Sequence, residues 1–250
     1  MSKMAADCNA INLSQGFPDF DADPELIEKM HQAMLKGFNQ YAPMPGYMPL
    51  RMVIADVIQK SYGRAVSPES EITITAGGTE ALFASIAAFV EHGDEVIIFD
   101  PSYDSYGPSV RLNGGVPVYI NLLPPEFSIP WDRVRSAITP RTRMIIINTP
   151  HNPCGTIMSS QDHLILLEIC KAHNILVLSD EVYERLIFDG ARHESVLSNP
   201  EFEPYAIAVF SFGKTFHVTG WKSGYAVASP KLTAEIRKTH QFINFSVNAP

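Results

Sequence analysis

The sequence has little cysteine and little positive charge, and each shortage excludes a class of protein. Its 250 residues include three cysteines, Cys8, Cys154 and Cys170, with no CxxC pair. This pattern is typical of reduced thiols in a cytoplasmic protein rather than of a secreted disulfide scaffold. Lysine and arginine together number 19 against 27 acidic residues, which gives a net charge of -8. That balance argues against a nucleic-acid binder that depends on counterion release.

Long hydrophobic segments are also missing. The apolar stretch 81–90 (ALFASIAAFV) is far shorter than the roughly 20 residues that cross a membrane. Residues 1–12 lack an apolar core of signal-peptide length. No cluster of histidine, cysteine and carboxylate has metal-ligand spacing, so no catalytic metal is expected. We therefore expect a cytoplasmic protein that binds neither membranes nor nucleic acid.

The chain does have enough hydrophobic residues, 46% of the total, for a large core. Short runs rich in isoleucine and valine alternate with segments whose apolar residues recur at helical spacing. Strands are predicted at 71–75, 95–99, 116–120, 143–148, 175–179, 206–210 and 224–228. Helices are predicted at 24–37, 49–62, 79–90, 160–173 and 231–240. This alternation predicts an α/β domain with a largely parallel sheet.

Polar and glycine-containing segments follow four of these strands, at the ends where open α/β sheets bind ligands. They are 76–80 (AGGTE), 149–155 (TPHNPCG), 180–183 (DEVY) and 211–222 (SFGKTFHVTGWK). Each also has a purely structural explanation: a tight turn into a helix, a proline-punctuated turn, an aspartate N-cap and a solvated lysine. The aromatic neighbours of Lys214, such as Phe212, Phe216 and Trp221, argue against the last of these.

Together the four segments match the needs of pyridoxal phosphate. Glycines at a helix N-terminus let backbone N–H groups bind a phosphate. A lysine among apolar residues, Lys214, can form a Schiff base with the aldehyde. A carboxylate at the end of a strand, Asp180, can keep the pyridine nitrogen protonated, and Lys222 can supply a second positive charge.

Five motifs resemble those of class I aminotransferases, which are pyridoxal-phosphate enzymes of fold type I. They are TAGGTEAL, DPSYDSY, NTPHNPCGT, SDEVYE and SFGKTFHVTGWKSGY, in the order of that family and at its spacings. Two further segments, INLSQGFPDF and NQYAPMPGY, are similar to the N-terminal part of the kynurenine and methionine aminotransferase branch. The resemblance extends over essentially the whole chain, and it implies a cofactor-binding large domain with a mostly parallel sheet flanked by helices.

The resemblance implies a role for residues around the cofactor ring. Lys214 would form the Schiff base and transfer the substrate proton. Asp180 would pair with the pyridine N–H. Asn152 and Tyr183 would bind the ring oxygen, and Tyr103 would stack on the ring. Lys214, Asp180 and Tyr183 are thus the implied catalytic residues.

The resemblance also implies how the phosphate and the substrate are bound. The phosphate would contact Gly78, Thr79, Glu80, Ser211 and Lys222, the first three through their backbone N–H groups. Many family members carry arginine where this chain has Lys222, and lysine is typical of the kynurenine/methionine branch. Tyr41 would reach the phosphate of a neighbouring subunit, which implies a homodimer with shared active sites. The substrate pocket would include Gly16, Asn152 and Phe245.

The implied reaction is the transfer of an amino group between an amino acid and a 2-oxo acid. The expected amino acid has an apolar, aromatic or thioether side chain, as methionine and kynurenine do. A β-lyase acting on cysteine S-conjugates is an alternative on the same fold. The family continues for well over a hundred residues beyond a motif like NFSVNAP. Residues 1–36 would therefore belong to a small domain that is otherwise missing and residues 37–250 to the large domain, so a truncated cofactor-binding fragment without turnover is a further alternative.

Overall fold

The computed structural model describes residues 1–12, 16, 18 and 20–250. The described residues form a seven-stranded sheet with helices on both faces. The strands are β1 (Ile72–Thr75), β2 (Glu95–Asp100), β3 (Val116–Asn121), β4 (Thr142–Asn148), β5 (Leu176–Asp180), β6 (Ala206–Ser211) and β7 (Gly224–Ala228). The helices are α1 (Ser2–Asp7), α2 (Pro24–Leu35), α3 (Met48–Tyr62), α4 (Gly78–Phe89), α5 (Tyr106–Leu112), α6 (Trp131–Ala137), α7 (Ser160–His173), α8 (Phe212–Thr215) and α9 (Pro230–Ile243). Every predicted strand and helix is confirmed, while α1, α5, α6 and α8 were not predicted.

The sheet has the strand order β1-β7-β6-β5-β4-β2-β3. Strand β7 runs antiparallel to both β1 and β6, and the other neighbouring pairs are parallel. The predicted, largely parallel sheet is therefore confirmed. From β2 the chain continues to β3 on one side, whereas from β4 it continues to β5 on the other. This change of direction opens a crevice beyond the C-terminal ends of the strands, where ligands bind in open α/β sheets.

Two hydrophobic clusters cover the two faces of the sheet. One contains residues of α3, α6 and α7, and the other contains residues of α4, α5 and α9. Strand β4 contributes to both, because Ile145 and Ile147 point to the first cluster while Met144 and Ile146 point to the second. Burial on both faces explains why this strand is apolar throughout and does not alternate.

Local signals fix the ends of the helices that frame the crevice. Helix α7 begins with a capping box, in which Ser159 and Asp162 bind each other's backbone N–H groups, and it ends at Asn174 in the left-handed conformation. Helix α4 follows Gly77, whose φ of +85° favours glycine. No helix in the described part of the chain is both long and apolar enough to cross a membrane.

Candidate active site

A cavity of about 1890 Å³ lies at the C-terminal ends of β4, β5 and β6 and extends to the start of α4. It brings together most of the residues singled out from the sequence. Those that line it are Gly16, Gly78, Thr79, Tyr103, Asn152, Asp180, Tyr183, Ser211, Lys214 and Lys222. Residues that are far apart in the chain therefore share one site.

The N-terminus of α4 is packed against the strands without room for side chains. A Cβ added to Gly224 of β7 would lie 2.6 Å from the Phe210 carbonyl oxygen and 2.9 Å from the Gly78 nitrogen. A Cβ on Gly78 would lie 2.9 Å from Val182. The first N–H groups of a helix have no partner within the helix, and here backbone can approach them closely. This turn is suited to binding an anion.

Lys222 lies beside this turn. Its ammonium nitrogen would be 3.7 Å from a Cβ placed on Gly77. Lys222 adopts the left-handed conformation, with φ of +54°, and forms no ion pair with any described residue. An exposed ammonium beside unpaired N–H groups makes this end of the cavity strongly electropositive.

Lys214 lies on α8 and is exposed to the cavity. Its ammonium nitrogen is 5.3 Å from the centre of the Tyr183 ring, and it too has no ion pair in the described part of the chain. Its aromatic neighbours differ in burial, since Phe210 is buried whereas Phe216 is half exposed. What distinguishes Lys214 from an ordinary surface lysine is the cavity that it faces.

Asp180 is the last residue of β5 and is 3% exposed. One carboxylate oxygen accepts a hydrogen bond of 2.6 Å from the Tyr106 hydroxyl, and the other accepts one of 3.3 Å from the Val182 N–H. Burial raises the pKa of Asp180 to about 6, although the Tyr106 hydrogen bond acts in the opposite direction. The alternative of a helix N-cap is wrong, because a turn rather than a helix follows Asp180.

Asn148 connects the loop after β4 to the end of β5. Its amide donates to the Asp180 carbonyl oxygen at 2.9 Å, and its side-chain oxygen accepts from the Asn152 N–H at 2.6 Å. Asn148 is buried. The position of Asn152 in the cavity is thus set by a buried side chain four residues before it.

Tyr103 is held between the starts of two helices. Its hydroxyl lies 3.1 Å from the Thr79 hydroxyl of α4, and its ring packs edge-to-face on Tyr106 of α5 with 5.6 Å between ring centres. These contacts leave the Tyr103 ring at the wall of the cavity.

Comparison with known proteins identifies the family. Residues 9–250 match the family model for aminotransferases of class I and II. The chain belongs to this aminotransferase family. It is 50% identical over 250 residues to the methionine aminotransferase of Escherichia coli K12 and 35% identical over 271 residues to a kynurenine–oxoglutarate transaminase of Dictyostelium discoideum.

Solved aminotransferase structures have the same fold. A methionine aminotransferase from Escherichia coli superposes with a TM-score of 0.96 at 49% identity, and N-succinyldiaminopimelate aminotransferase from Mycobacterium tuberculosis does so with a TM-score of 0.96 at 40% identity. Each match covers all of this chain but 66% of the other. Against the two curated relatives named above, the chain spans 65% and 61% of their length.

Class I aminotransferases depend on pyridoxal phosphate, and the cavity of this aminotransferase chain fits that cofactor. The electropositive turn beside Lys222 suits a phosphate. A buried carboxylate such as Asp180 is costly when ionised unless a cation pairs with it, and a protonated pyridine nitrogen is such a cation. The exposed amine of Lys214 suits an aldehyde. In the described part of the chain, no three His, Cys, Asp or Glu side chains are grouped so that they could hold a metal ion.

Three residues singled out from the sequence lie outside the cavity. The side chain of Glu80 points to His240 of α9. Tyr41 and Phe245 are 81% and 56% exposed, and their rings meet edge-to-face with 5.3 Å between centres. This pair therefore forms a surface feature of the single chain.

Sequence reasoning missed several residues that position the site. Tyr106 and Asn148 bind Asp180 directly, and His217 lines the cavity with its Nδ1 buried and without a partner among the described residues. Glu181, which follows Asp180, is fully buried and accepts a 2.8 Å hydrogen bond from His193. Four of them lie inside the quoted motifs, which alone gave them no role: Tyr106 in DPSYDSY, Asn148 in NTPHNPCGT, Glu181 in SDEVYE and His217 in SFGKTFHVTGWKSGY.

Proposed function

We propose that this chain forms the cofactor-binding part of an enzyme that transfers an amino group between an amino acid and a 2-oxo acid. One observation carries the proposal: buried Asp180, exposed Lys214 and the N-terminus of α4 converge on one cavity. The proposed amino acid has an apolar, aromatic or thioether side chain, as methionine and kynurenine do. The 50% identity to a methionine aminotransferase supports this choice.

Pyridoxal phosphate would supply an electron sink for the carbanion formed from the amino acid. The amine of Lys214 would hold the cofactor covalently, and the same amine, when free, would take the proton from the substrate α-carbon. Lys214 is exposed and without an ion pair to any described residue, so it is free to make both contacts. The carboxylate of Asp180 would keep the pyridine nitrogen of the bound cofactor protonated.

The remaining residues of the cavity orient the cofactor and the substrate. The phosphate would be bound by the backbone N–H groups of Gly78, Thr79 and Glu80, the hydroxyl of Ser211 and the ammonium of Lys222. Tyr103 would pack against the ring, while Asn152 and Tyr183 would donate to its oxygen. Gly16 and Asn152 face the substrate, and their position on the cavity wall supports this assignment.

The proposed assembly is a cytoplasmic homodimer. Tyr41 binds the phosphate of the neighbouring subunit, and Phe245 contacts the substrate near the interface; the exposure of this aromatic pair supports both roles. The three free cysteines support a reducing compartment. Residues 1–36 are assigned to the small domain and residues 37–250 to the large one.

Cofactor attachment and turnover are tested separately. The chain is mixed with pyridoxal phosphate, reduced with borohydride and digested, and mass spectrometry of the peptides is expected to place the label on Lys214. Label on another lysine would overturn the assignment. Transamination is measured in the longest reading frame that contains this chain, with methionine and a 2-oxo acid. Release of pyruvate and ammonia from a cysteine S-conjugate, without any new amino acid, would contradict the proposed reaction.

A further inference from the structure

His240 of α9 is completely buried, and both of its ring nitrogens face oxygen atoms. Its Nδ1 lies 2.9 Å from a carboxylate oxygen of Glu80, and its Nε2 lies 3.0 Å from the Met44 carbonyl oxygen. A carbonyl oxygen and a carboxylate only accept hydrogen bonds, so both nitrogens must carry a hydrogen. His240 is therefore an imidazolium in this arrangement.

One end of this contact lies in the turn that suits a phosphate. Glu80 is in the first turn of α4, directly after Gly78 and Thr79. While one of its oxygens pairs with His240, the other accepts a hydrogen bond of 3.1 Å from the Ala76 N–H. Glu80 thus fixes the backbone on both sides of the glycine pair.

The other end lies in the loop that follows Tyr41. Besides the Met44 carbonyl, the loop carbonyls of Ala42, Pro45 and Gly46 all accept hydrogen bonds from the body of the protein. The loop backbone is also packed closely against β1, because a Cβ on Gly46 would lie 2.1 Å from the side chain of Ile74. Tyr41 is therefore presented by a segment held at four carbonyls.

The charged groups around His240 are few. Glu80 of α4 is its ion-pair partner, and Arg237 lies one turn earlier on α9. Residues 42–46 (APMPG) contain no titratable side chain. Burial and Arg237 lower the pKa of His240, but the contacts with Glu80 and Met44 raise it more, and the net shift is upward.

We propose that His240 is a positioning residue that joins the phosphate-binding turn of α4 to the loop carrying Tyr41. The inference rests on the proposed function, because it requires that the turn binds the cofactor phosphate. Loss of the His240 proton would turn a lone pair toward an oxygen and break one of the two contacts. It would also leave the Glu80 charge uncompensated near the phosphate. Phosphate affinity should therefore fall as pH rises through the pKa of His240.

The test compares two ligands that differ only in the phosphate. Dissociation constants of pyridoxal phosphate and pyridoxal are measured for the wild-type chain, for His240→Gln, and for His163→Gln. His163 is a matched control, since it is also buried but lies on α7, away from the cavity, with Nδ1 bonded to Ser159. His240→Gln is expected to weaken binding of pyridoxal phosphate about tenfold, the scale of a lost charged hydrogen bond. Its binding of pyridoxal should stay within about twofold of wild type, and His163→Gln should leave both constants unchanged.

A second readout follows pH. As pH rises through the pKa of His240, which lies above the ordinary 6.5, the preference of the wild type for the phosphorylated ligand should decline, and that of His240→Gln should stay level. If His240→Gln does not fold, Glu80→Gln removes the ion-pair partner of His240 and keeps the backbone N–H. Glu80 then no longer raises the pKa of His240, so the preference for the phosphorylated ligand should decline at lower pH than in the wild type.

The outcomes distinguish a failure of the role of His240 from a failure of the proposed function. An unchanged phosphate preference in a folded His240→Gln or Glu80→Gln chain would overturn the role of His240 and leave the proposed function standing. Equal weakening of both ligands would do the same, because it indicates a general structural effect. A wild-type chain that binds pyridoxal as tightly as pyridoxal phosphate would overturn both proposals.

Discussion

The two sides of the cavity differ in how their polar groups are satisfied. On the side formed by strand ends, Asp180 and Asn148 are buried and hydrogen-bonded within the protein, and Tyr106 completes the set. On the side formed by residues 211–223, Lys214 and Lys222 are exposed and have no ion pair with any described residue. The first, hydrogen-bonded side has its polar groups satisfied before any ligand binds, whereas the second, open side suits a ligand that brings negative charge.

The largest expected effect is on the open side. Lys214→Ala should abolish borohydride-trapped cofactor and reduce transamination by at least about a thousandfold, because it removes the amine proposed to form the Schiff base. Stability should change little, since Lys214 is exposed. Absorbance and urea unfolding check the two outcomes, with exposed Lys231→Ala as the matched control. Borohydride-trapped cofactor in the Lys214→Ala variant would contradict the proposed role of Lys214.

On the hydrogen-bonded side, Asp180→Asn should lower the transamination rate about a hundredfold. The same change should stabilise the protein in the absence of cofactor. The folded-state pKa of Asp180 is raised from 3.8 to about 6. Protonated Asp180 therefore stabilises the folded state below pH 4, and this stabilisation is lost as pH rises through 6. The shift corresponds to at most about 3 kcal/mol in the free energy of unfolding. Urea unfolding should therefore show the variant to be more stable than wild type at neutral pH and similar below pH 4. Exposed Asp56→Asn serves as the control, and an Asp180 variant that is less stable at neutral pH would contradict the argument.

The smallest expected effect comes from Tyr106→Phe. It removes the 2.6 Å hydrogen bond to Asp180 and keeps the buried ring. The carboxylate loses a partner, so its pKa should rise further and cofactor affinity should fall about fivefold. Titration with pyridoxal phosphate at several pH values measures both changes, with half-exposed Tyr119→Phe as the control. Equal cofactor affinities for Tyr106→Phe and wild type would show that the Tyr106 hydroxyl does not support cofactor binding on the hydrogen-bonded side.

The sequence was most informative where the chemistry is local. Strand β4 could be predicted because residues such as Met144 and Ile145 must be apolar to be buried on both faces. The four polar segments could be placed together because parallel strands end at one edge of the sheet. Short helices such as α5 escaped prediction, since its seven residues include glycine and proline.

The supporting contacts depend on tertiary packing that no spacing reveals. Tyr106 meets Asp180 across 74 positions of sequence, and His240 meets Glu80 across 160. The exposure of Lys214 could not be predicted either, because aromatic neighbours in the sequence do not reveal which side chains turn toward solvent. The predicted roles of Tyr41 and Phe245 require a second subunit and stay predictions.

Gly224 and Gly16 set opposite conditions for anyone who varies the sequence of this chain. A Cβ on Gly16 would meet no described atom within 4 Å, whereas one on Gly224 would collide with the Phe210 carbonyl and the Gly78 nitrogen. In a combinatorial library, the described residues therefore leave room for a side chain at position 16. Position 224 must keep glycine in every member of such a library, because any larger residue would push β7 away from the start of α4.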